Sequence, residues 1–226
     1  MLDGKYEGKL YGIPMSIQTF CVMYNKSLFD DANVAYPTNN WTWKDYEGII
    51  YRLREKLPDG VYPSADMRSA DLMTLLMVHQ KRGTYLTKDK TMNFKKQIAW
   101  PLELFQRYME KGLVPPVEET SANSTDGLFV SGKVAMIQSY NAMARTLQAS
   151  AKDGQKYGMV AIPSSTTVEK LGSYVKGDLL FVINSKSDKK DDVVKLLNEF
   201  VNNEQMGEIL SLVRVFLQTI RSGASY

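Results

Sequence analysis

The side chains that most often do chemistry in proteins are scarce in this 226-residue chain. It contains one cysteine, Cys21, and one histidine, His79. Neither has a partner at metal-ligand spacing, and a single cysteine cannot form an internal disulfide. Cys21 lies inside the apolar run Ile17–Tyr24, which favours a small buried hydrophobe over a reactive thiol.

The sequence also lacks the common catalytic and phosphate-binding patterns. A Ser-His-Asp triad would have to include His79, yet there is no Gly-x-Ser-x-Gly elbow. Neither a P-loop nor a Gly-x-Gly-x-x-Gly fingerprint is present. The sequence therefore predicts no cofactor, no metal site and no catalysis. One alternative stays open, a carbohydrate-active enzyme with Asp71 and Asp178 flanking a scissile bond, although neither residue lies in a recognisable catalytic motif.

Composition is typical of a soluble globular protein. Hydrophobic residues make up 44% and charged residues 23% of the chain, which is long enough to bury a core. The 28 basic and 25 acidic residues give a net charge of +3, and the short basic runs have acidic neighbours, which disfavours nucleic acid as a partner. No apolar stretch approaches the ~20 residues needed to span a bilayer.

Predicted strands and helices alternate along the chain, which indicates an α/β fold. Thr42-Trp43-Lys44-Asp45 predicts a capping box that begins a helix, and Pro58 with Gly60 ends it. Two further helices are predicted over 69–81 and 98–111, the second entered through Pro101 and ended by Gly112. A last helix is predicted to be capped by Asp188, and its inward residues are Val193, Val194, Leu196, Leu197 and Phe200. Predicted strands end at 22–24 and cover 134–138, 157–162 and 179–184.

Several short segments together resemble the family 1 extracellular solute-binding proteins. The first is Gly8-Lys9-Leu10-Tyr11-Gly12-Ile13-Pro14, followed by Tyr24-Asn25-Lys26-Ser27-Leu28-Phe29. Leu128–Ile137 resembles the family's Phe-x-x-Gly-Lys-x-Ala-Met stretch, and Tyr157–Pro163 resembles its Gly-x-x-x-x-Pro strand. Each segment is short and degenerate, so the resemblance depends on their order and spacing.

The resemblance implies a protein that binds and delivers rather than converts. In this family, two α/β lobes of the type II periplasmic-binding-protein fold close on a sugar or oligosaccharide, which an ABC importer then receives. The implied partners are a carbohydrate ligand and the permease subunits, with the protein itself a monomer. A neutral sugar suits a site of amides, carboxylates and aromatic rings, with no nucleophile and no cofactor.

The resemblance also points to candidate ligand-binding residues. Ser16, Gln18 and Thr19 follow Pro14, where relatives have a cleft strand; solvated loop residues are the alternative. Tyr140 and Asn141 occupy the turn where an aromatic ring often stacks on the sugar.

Further candidates come from three other segments. Tyr174 is a second stacking candidate, and Gly177 would let backbone approach the ligand. Asp178 could accept hydroxyl groups or stabilise a turn. Asp71 could reach the cleft or favour a helix N-terminus. We expect Trp41 and Trp43 to pack against other side chains rather than to form a surface on which a sugar ring stacks.

The family segments begin early in this sequence, which predicts an incomplete fold that lacks the start of the N-lobe and the C-terminal helices. On this interpretation, residues 1–30 are the end of the N-lobe and the hinge strand, 31–183 are mainly C-lobe, and 184–226 are return helices and a tail. Intact family members are extracytoplasmic and membrane-anchored. This sequence shows no signal peptide and is expected, as written, to stay cytoplasmic. A non-functional remnant is therefore a second possible interpretation.

The tail departs from the family pattern after Arg214, where relatives continue with an Arg-Gly-x-Pro turn. An Arg-Gly-Val-Pro-Ser-Asn-Asn segment could be encoded as CGG GGT GTT CCT TCA AAC AAT. Loss of one G would change this coding sequence to CGG GTG TTC CTT CAA ACA AT, which encodes Arg-Val-Phe-Leu-Gln-Thr-Ile, the residues found from Arg214 to Ile220. We therefore expect residues from about Val215 onward to be out of frame, which sequencing of the gene would test.

Overall fold

The structure, a computed structural model, describes residues 4–14, 17–65, 89, 91, 94–150, 155–164, 175–177, 179–203 and 205. The chain divides into two compact units. Unit 1 combines Met1–Gln18 with Val175–Tyr226, and unit 2 is Thr19–Tyr174. The helix predicted over 69–81, His79 and the tail from Val215 lie outside the described residues.

A three-strand path of antiparallel pairs forms the centre of unit 2. Strand β4 (Ile17–Asn25) lies between β5 (Met136–Tyr140) and β6 (Tyr157–Ala161). Val22 is 0% and Met23 is 1% exposed, so both faces of β4 are buried. That is why its sequence is almost continuously apolar rather than alternating.

The two faces of β4 belong to two hydrophobic clusters. Phe20, Val22 and Tyr24 lie in one cluster, whereas Cys21 and Met23 lie in the other. Successive strand residues point to opposite sides, so this division follows from the period of a strand. The strand expected at 134–138 is confirmed two residues later, as β5, and the strand expected at 157–162 is confirmed as β6.

Helix α2 (Trp43–Arg54) begins as the sequence predicts. Thr42 Oγ1 accepts from the amide of Asp45 at 3.3 Å, and Asp45 Oδ2 accepts from the amide of Thr42 at 2.8 Å. This reciprocal pair is a capping box. The helix ends at Arg54, before Leu57, and packs against the cluster that contains Val22 through a set of buried residues: Tyr46, Ile49, Ile50 and Leu53.

Several other helices of unit 2 lie in the described residues. They are α1 (Lys26–Asp31), α3 (Phe94–Glu110), α4 (Val117–Ala122), α5 (Thr125–Val130) and α6 (Met143–Ser150). The predicted entry of α3 at Pro101 is wrong, because the helix begins at Phe94 and Pro101 lies inside it. A proline within a helix removes one backbone hydrogen bond, and here the helix continues through it. Gly112 follows the helix with φ of +63°, as expected for a glycine after a C-terminus.

Unit 1 contains two small antiparallel pairs. β1 (Lys5–Tyr6) and β2 (Lys9–Leu10) form a hairpin. Its central residues Glu7 and Gly8 have φ of 48° and 76°, as a type I′ turn requires. β3 (Ile13–Pro14) pairs with β8 (Leu180–Phe181). β7 (Val175–Gly177) pairs with β4, whose first two residues belong to the same unit.

The last predicted strand and helix are partly corrected. The strand expected over 179–184 is shorter in the structure, where only Leu180–Phe181 pair as β8. The chain then turns, and the amide of Ser187 donates to the carbonyl of Asn184. Helix α7 (Lys190–Asn202) is not capped by Asp188. Lys189 is the N-cap residue, without a side-chain cap, and its own amide donates to Ser187 Oγ at 3.2 Å.

The predicted inward face of α7 is also too wide. Leu197 is buried and Val193 and Phe200 are half-buried, whereas Val194 and Leu196 are 54% and 55% exposed. The covered part of the helix is therefore a narrow strip within a broader apolar arc.

Candidate functional site

Three of the predicted binding residues meet at one end of the β4–β5 pair. The backbone amide of Thr19 donates to Asn141 Oδ1 at 3.1 Å. The backbone amide of Asn141 donates in return to the carbonyl of Thr19 at 3.0 Å. These two residues are 122 positions apart in sequence, and the reciprocal bonds fix the turn after β5 to the first part of β4.

Tyr140 is the aromatic member of this group. It is the register partner of Phe20, and the two rings meet edge to face with centroids 5.2 Å apart. Tyr140 is half-buried and packs against the hydrophobic cluster of α2. Edge-to-face packing restrains a ring without burying it entirely, which suits a side chain that also contacts a ligand.

Gln18 precedes Thr19 in β4, and both residues are half-buried. Thr19, Tyr140 and Asn141 together offer a hydroxyl, a phenol ring and a carboxamide. The carboxamide nitrogen contributes two donors, and each hydroxyl both donates and accepts. Such a set can bind a neutral, hydroxyl-rich ligand, and it includes no carboxylate, imidazole or thiol.

The other predicted binding residues are not brought into this group. Gly177 is the last residue of β7. Ser16, Asp71, Tyr174 and Asp178 lie outside the described residues, and so does the proposed carboxylate pair of Asp71 with Asp178. Their roles stay predictions.

Sequence reasoning missed a buried polar chain next to this group. Gln138 lies two residues before Tyr140 on the same face of β5, and its Nε2 donates to the Tyr46 hydroxyl at 2.9 Å. Tyr46 and Ser64 share a short hydrogen bond, and Ser64 Oγ also donates to the carbonyl of Ala65 at 3.2 Å. Since each hydroxyl has one proton, Tyr46 is the donor to Ser64.

The hydrogen-bonded side chains of this buried polar chain are shielded from solvent. Tyr46 and Ser64 are 0% exposed, and burial raises the pKa of Tyr46 to about 12. Gln138 Oε1 is buried and has no hydrogen-bond partner among the described residues. The sequence signal for the chain was a glutamine inside an apolar strand, a polar side chain that burial forces to find a partner.

Cys21 and Trp41 have the structural roles that the sequence favours. Cys21 is 4% exposed, and burial raises the pKa of its thiol to about 12, which makes a thiolate nucleophile unavailable near neutral pH. Trp41 is 3% exposed, and its Nε1 donates to the carbonyl of Ala161 at 2.8 Å. Trp43 is half-buried against the ring of Tyr46, with centroids 5.4 Å apart.

No group of three or more metal-ligating side chains occurs in the described part of the chain. Over the same residues, no helix is both long enough and apolar enough to cross a bilayer.

Residues 1–215 match the sequence model of the family described as bacterial extracellular solute-binding protein. The chain belongs to this family. It is a family of binding proteins rather than enzymes, so the non-catalytic interpretation of the sequence is confirmed.

Individual relatives agree with the family assignment. The galactooligosaccharide-binding protein of Bacillus subtilis is 25% identical over 204 residues, which is 87% of this chain and 46% of that protein. An ABC substrate-binding protein from Listeria monocytogenes in complex with cycloalternan has a TM-score of 0.67 at 23% identity, over 91% of this chain and 51% of that one. A family 1 extracellular solute-binding protein from Alicyclobacillus acidocaldarius has a TM-score of 0.74 at 23% identity, over 98% of this chain and 57% of that one.

These matches confirm the predicted α/β fold of the periplasmic-binding-protein type. This solute-binding protein spans about half the length of the relatives that it matches.

Proposed function

We propose that this solute-binding protein binds a sugar or oligosaccharide through Thr19, Tyr140 and Asn141, as the ligand-binding part of an ABC import system. The observation that carries the proposal is the reciprocal hydrogen bonding between Thr19 and Asn141, which holds the Tyr140 ring at a half-buried position beside them.

The chemistry of this group fits a neutral sugar better than a charged solute. None of its three side chains has a formal charge, so the group offers no counter-ion for a charged solute. A pyranose presents hydroxyl groups at its rim and C–H bonds on its faces; the former suit a carboxamide and the latter suit an aromatic ring. Two of the relatives described above, the galactooligosaccharide-binding protein and the protein in complex with cycloalternan, have carbohydrate ligands in their names.

Gln18, Gly177, Ser16, Asp71, Tyr174 and Asp178 belong to the same proposal as additional ligand contacts. The proposal also includes the two lobes as divided in the sequence analysis. It further includes delivery of the ligand to permease subunits and a monomeric protein, both by analogy with the family. Hinge closure of such a protein around its ligand would be what the permease recognises.

Isothermal titration calorimetry with a galactooligosaccharide and with cycloalternan tests the proposal. Tyr140→Ala should weaken binding by roughly 1–3 kcal/mol, the usual loss for a stacked ring and its hydroxyl. Tyr140→Phe should retain most of the affinity, because the ring remains. Tyr36→Ala is the matched control, since Tyr36 is an exposed tyrosine of the same unit that packs against Tyr24 and Phe29 instead.

Binding that is equally strong in wild type and in Tyr140→Ala would refute the assignment of the site. If neither carbohydrate binds, both of these ligand classes are refuted. Release of labelled products from either oligosaccharide would favour the enzyme alternative.

A further inference from the structure

Two carboxamides near the candidate binding group have fixed orientations. Asn141 Oδ1 accepts from the backbone amide of Thr19 at 3.1 Å, which leaves the nitrogen of Asn141 as the end that can bind a ligand. Gln138 Nε2 donates to the Tyr46 hydroxyl at 2.9 Å, which leaves the oxygen of Gln138. Because a carboxamide nitrogen only donates and its oxygen only accepts, the two residues offer a ligand opposite halves of a hydrogen bond.

Gln138 Oε1 is an acceptor that the described residues leave unsatisfied. It is buried and has no hydrogen-bond partner among them. The Tyr46 hydroxyl cannot serve it, because that hydroxyl donates its one proton to Ser64, whose own proton goes to the carbonyl of Ala65. A buried acceptor without a partner costs free energy, and native proteins keep few such atoms. A donor that is not part of the fold would relieve this cost.

Gln138 lies where such a donor can be a ligand group. Residues two apart on a strand share a face and are about 7 Å apart, and Gln138 and Tyr140 are related in this way on β5. Gln138 as a whole is half-buried, although its Oε1 is covered. A sugar unit that contacts the Tyr140 ring therefore needs to reach only this distance along β5 to bring a hydroxyl group to Gln138.

The unsatisfied oxygen also restricts the class of group that can bind there. A carboxylate or an ether oxygen only accepts hydrogen bonds and cannot serve Gln138 Oε1, whereas a hydroxyl group can donate to it. We propose that Gln138 is a specificity-determining ligand contact, whose Oε1 accepts a hydrogen bond from a hydroxyl group of the bound sugar. Tyr46 is then a positioning residue that holds the carboxamide in this orientation. This inference rests on the proposed function.

Isothermal titration calorimetry with a galactooligosaccharide tests the contact. Gln138→Met retains the approximate size of the side chain and removes Oε1, so it should weaken binding by on the order of 10-fold, the loss of about one hydrogen bond. Gln106→Met is the matched control, since Gln106 is an exposed residue of α3 that bonds to Glu110, and it should leave the affinity unchanged. Equal affinities of wild type and Gln138→Met overturn the inference.

A double-mutant cycle tests the role of Tyr46. Tyr46→Phe should weaken binding by about 3-fold when Gln138 is present, because the carboxamide loses the acceptor that orients it. It should leave the affinity unchanged in the Gln138→Met background, since Tyr46 acts on the ligand only through Gln138. A loss of the same size in both backgrounds overturns the positioning role of Tyr46.

NMR spectroscopy separates this inference from the proposed function. The side-chain amide resonances of Gln138 should shift saturably as the galactooligosaccharide is added, together with the backbone amides of Thr19, Tyr140 and Asn141. Shifts of those backbone amides without a shift of the Gln138 side chain overturn this inference alone. A water molecule that still cross-relaxes with the Gln138 side chain in the sugar-saturated protein overturns it in the same way. No binding at all overturns the proposed function and this contact with it.

Discussion

Tyr24 and Gly158 are register partners across β4 and β6, and the Tyr24 ring occupies the space where a side chain at position 158 would lie. A Cβ atom built on Gly158 would overlap the phenol ring and its hydroxyl. Tyr24 in turn packs against Phe29 with ring centroids 5.4 Å apart. The glycine is thus required by packing and not by a positive φ angle.

Gly158→Ala should therefore destabilise the protein by about 1–3 kcal/mol, the usual cost of overpacking a core. Gly48→Ala is the matched control, since Gly48 lies within α2 and a Cβ there would meet nothing within 4 Å. It should stabilise the protein by about 0.5–1 kcal/mol through helix propensity. Urea unfolding of both variants checks the opposite signs, and equal effects would contradict the packing account.

The capping box gives a second prediction. Thr42→Ala removes the acceptor for the Asp45 amide and should cost about 1 kcal/mol in the free energy of unfolding. Lys44→Ala is the control, because Lys44 is exposed on the same helical turn. A denaturation midpoint that Thr42→Ala leaves unchanged would mean that the hydroxyl does not stabilise the helix start.

The same box makes stability depend on pH. Hydrogen bonds from the side chain and backbone of Thr42 lower the pKa of Asp45 from its ordinary 3.8. A group whose pKa is lower in the folded state stabilises the fold above its unfolded pKa, and this contribution is lost as pH falls through the folded value. The stability difference between wild type and Asp45→Asn should thus be full at pH 6 and shrink below about pH 4. A difference that is constant from pH 6 to pH 3 would contradict the hydrogen-bonded carboxylate.

The buried polar chain predicts unequal effects at its two ends. Tyr46→Phe leaves the Gln138 amide without its acceptor and Ser64 Oγ without its donor, and should cost about 1–3 kcal/mol. Gln138→Met should cost less, because it removes an amide whose Oε1 is already unpartnered among the described residues, while Tyr46 can still donate to Ser64. Chemical denaturation of both variants measures the difference. A larger loss for Gln138→Met would show that Oε1 has a partner that stabilises the fold.

Local patterns in the sequence predicted local structure well. Thr42 and Asp45 are three residues apart, so a capping box could be inferred without knowing the rest of the fold. The same kind of rule failed at Pro101, because helix α3 continues past a residue that prefers the first turn. It also failed at Asp188, because α7 begins after Lys189 and has no side-chain cap.

Contacts between distant residues could not be derived from local patterns. The Thr19–Asn141 bonds and the Gln138–Tyr46 bond join positions 122 and 92 residues apart. The family resemblance placed Thr19, Tyr140 and Asn141 near one another, since it brings the whole topology with it. Gln138 was missed, because a buried glutamine depends on the particular hydroxyl that lies opposite it.

The central claim is that a carbohydrate binds where Thr19, Tyr140 and Asn141 meet. Titration of the ¹⁵N-labelled protein with a galactooligosaccharide, followed by two-dimensional NMR, tests the location directly. The account predicts saturable shifts of the Thr19, Tyr140 and Asn141 amide resonances, with those of Tyr36 and Asp45 unmoved. Saturable shifts confined to other residues, or none at millimolar sugar, would contradict it.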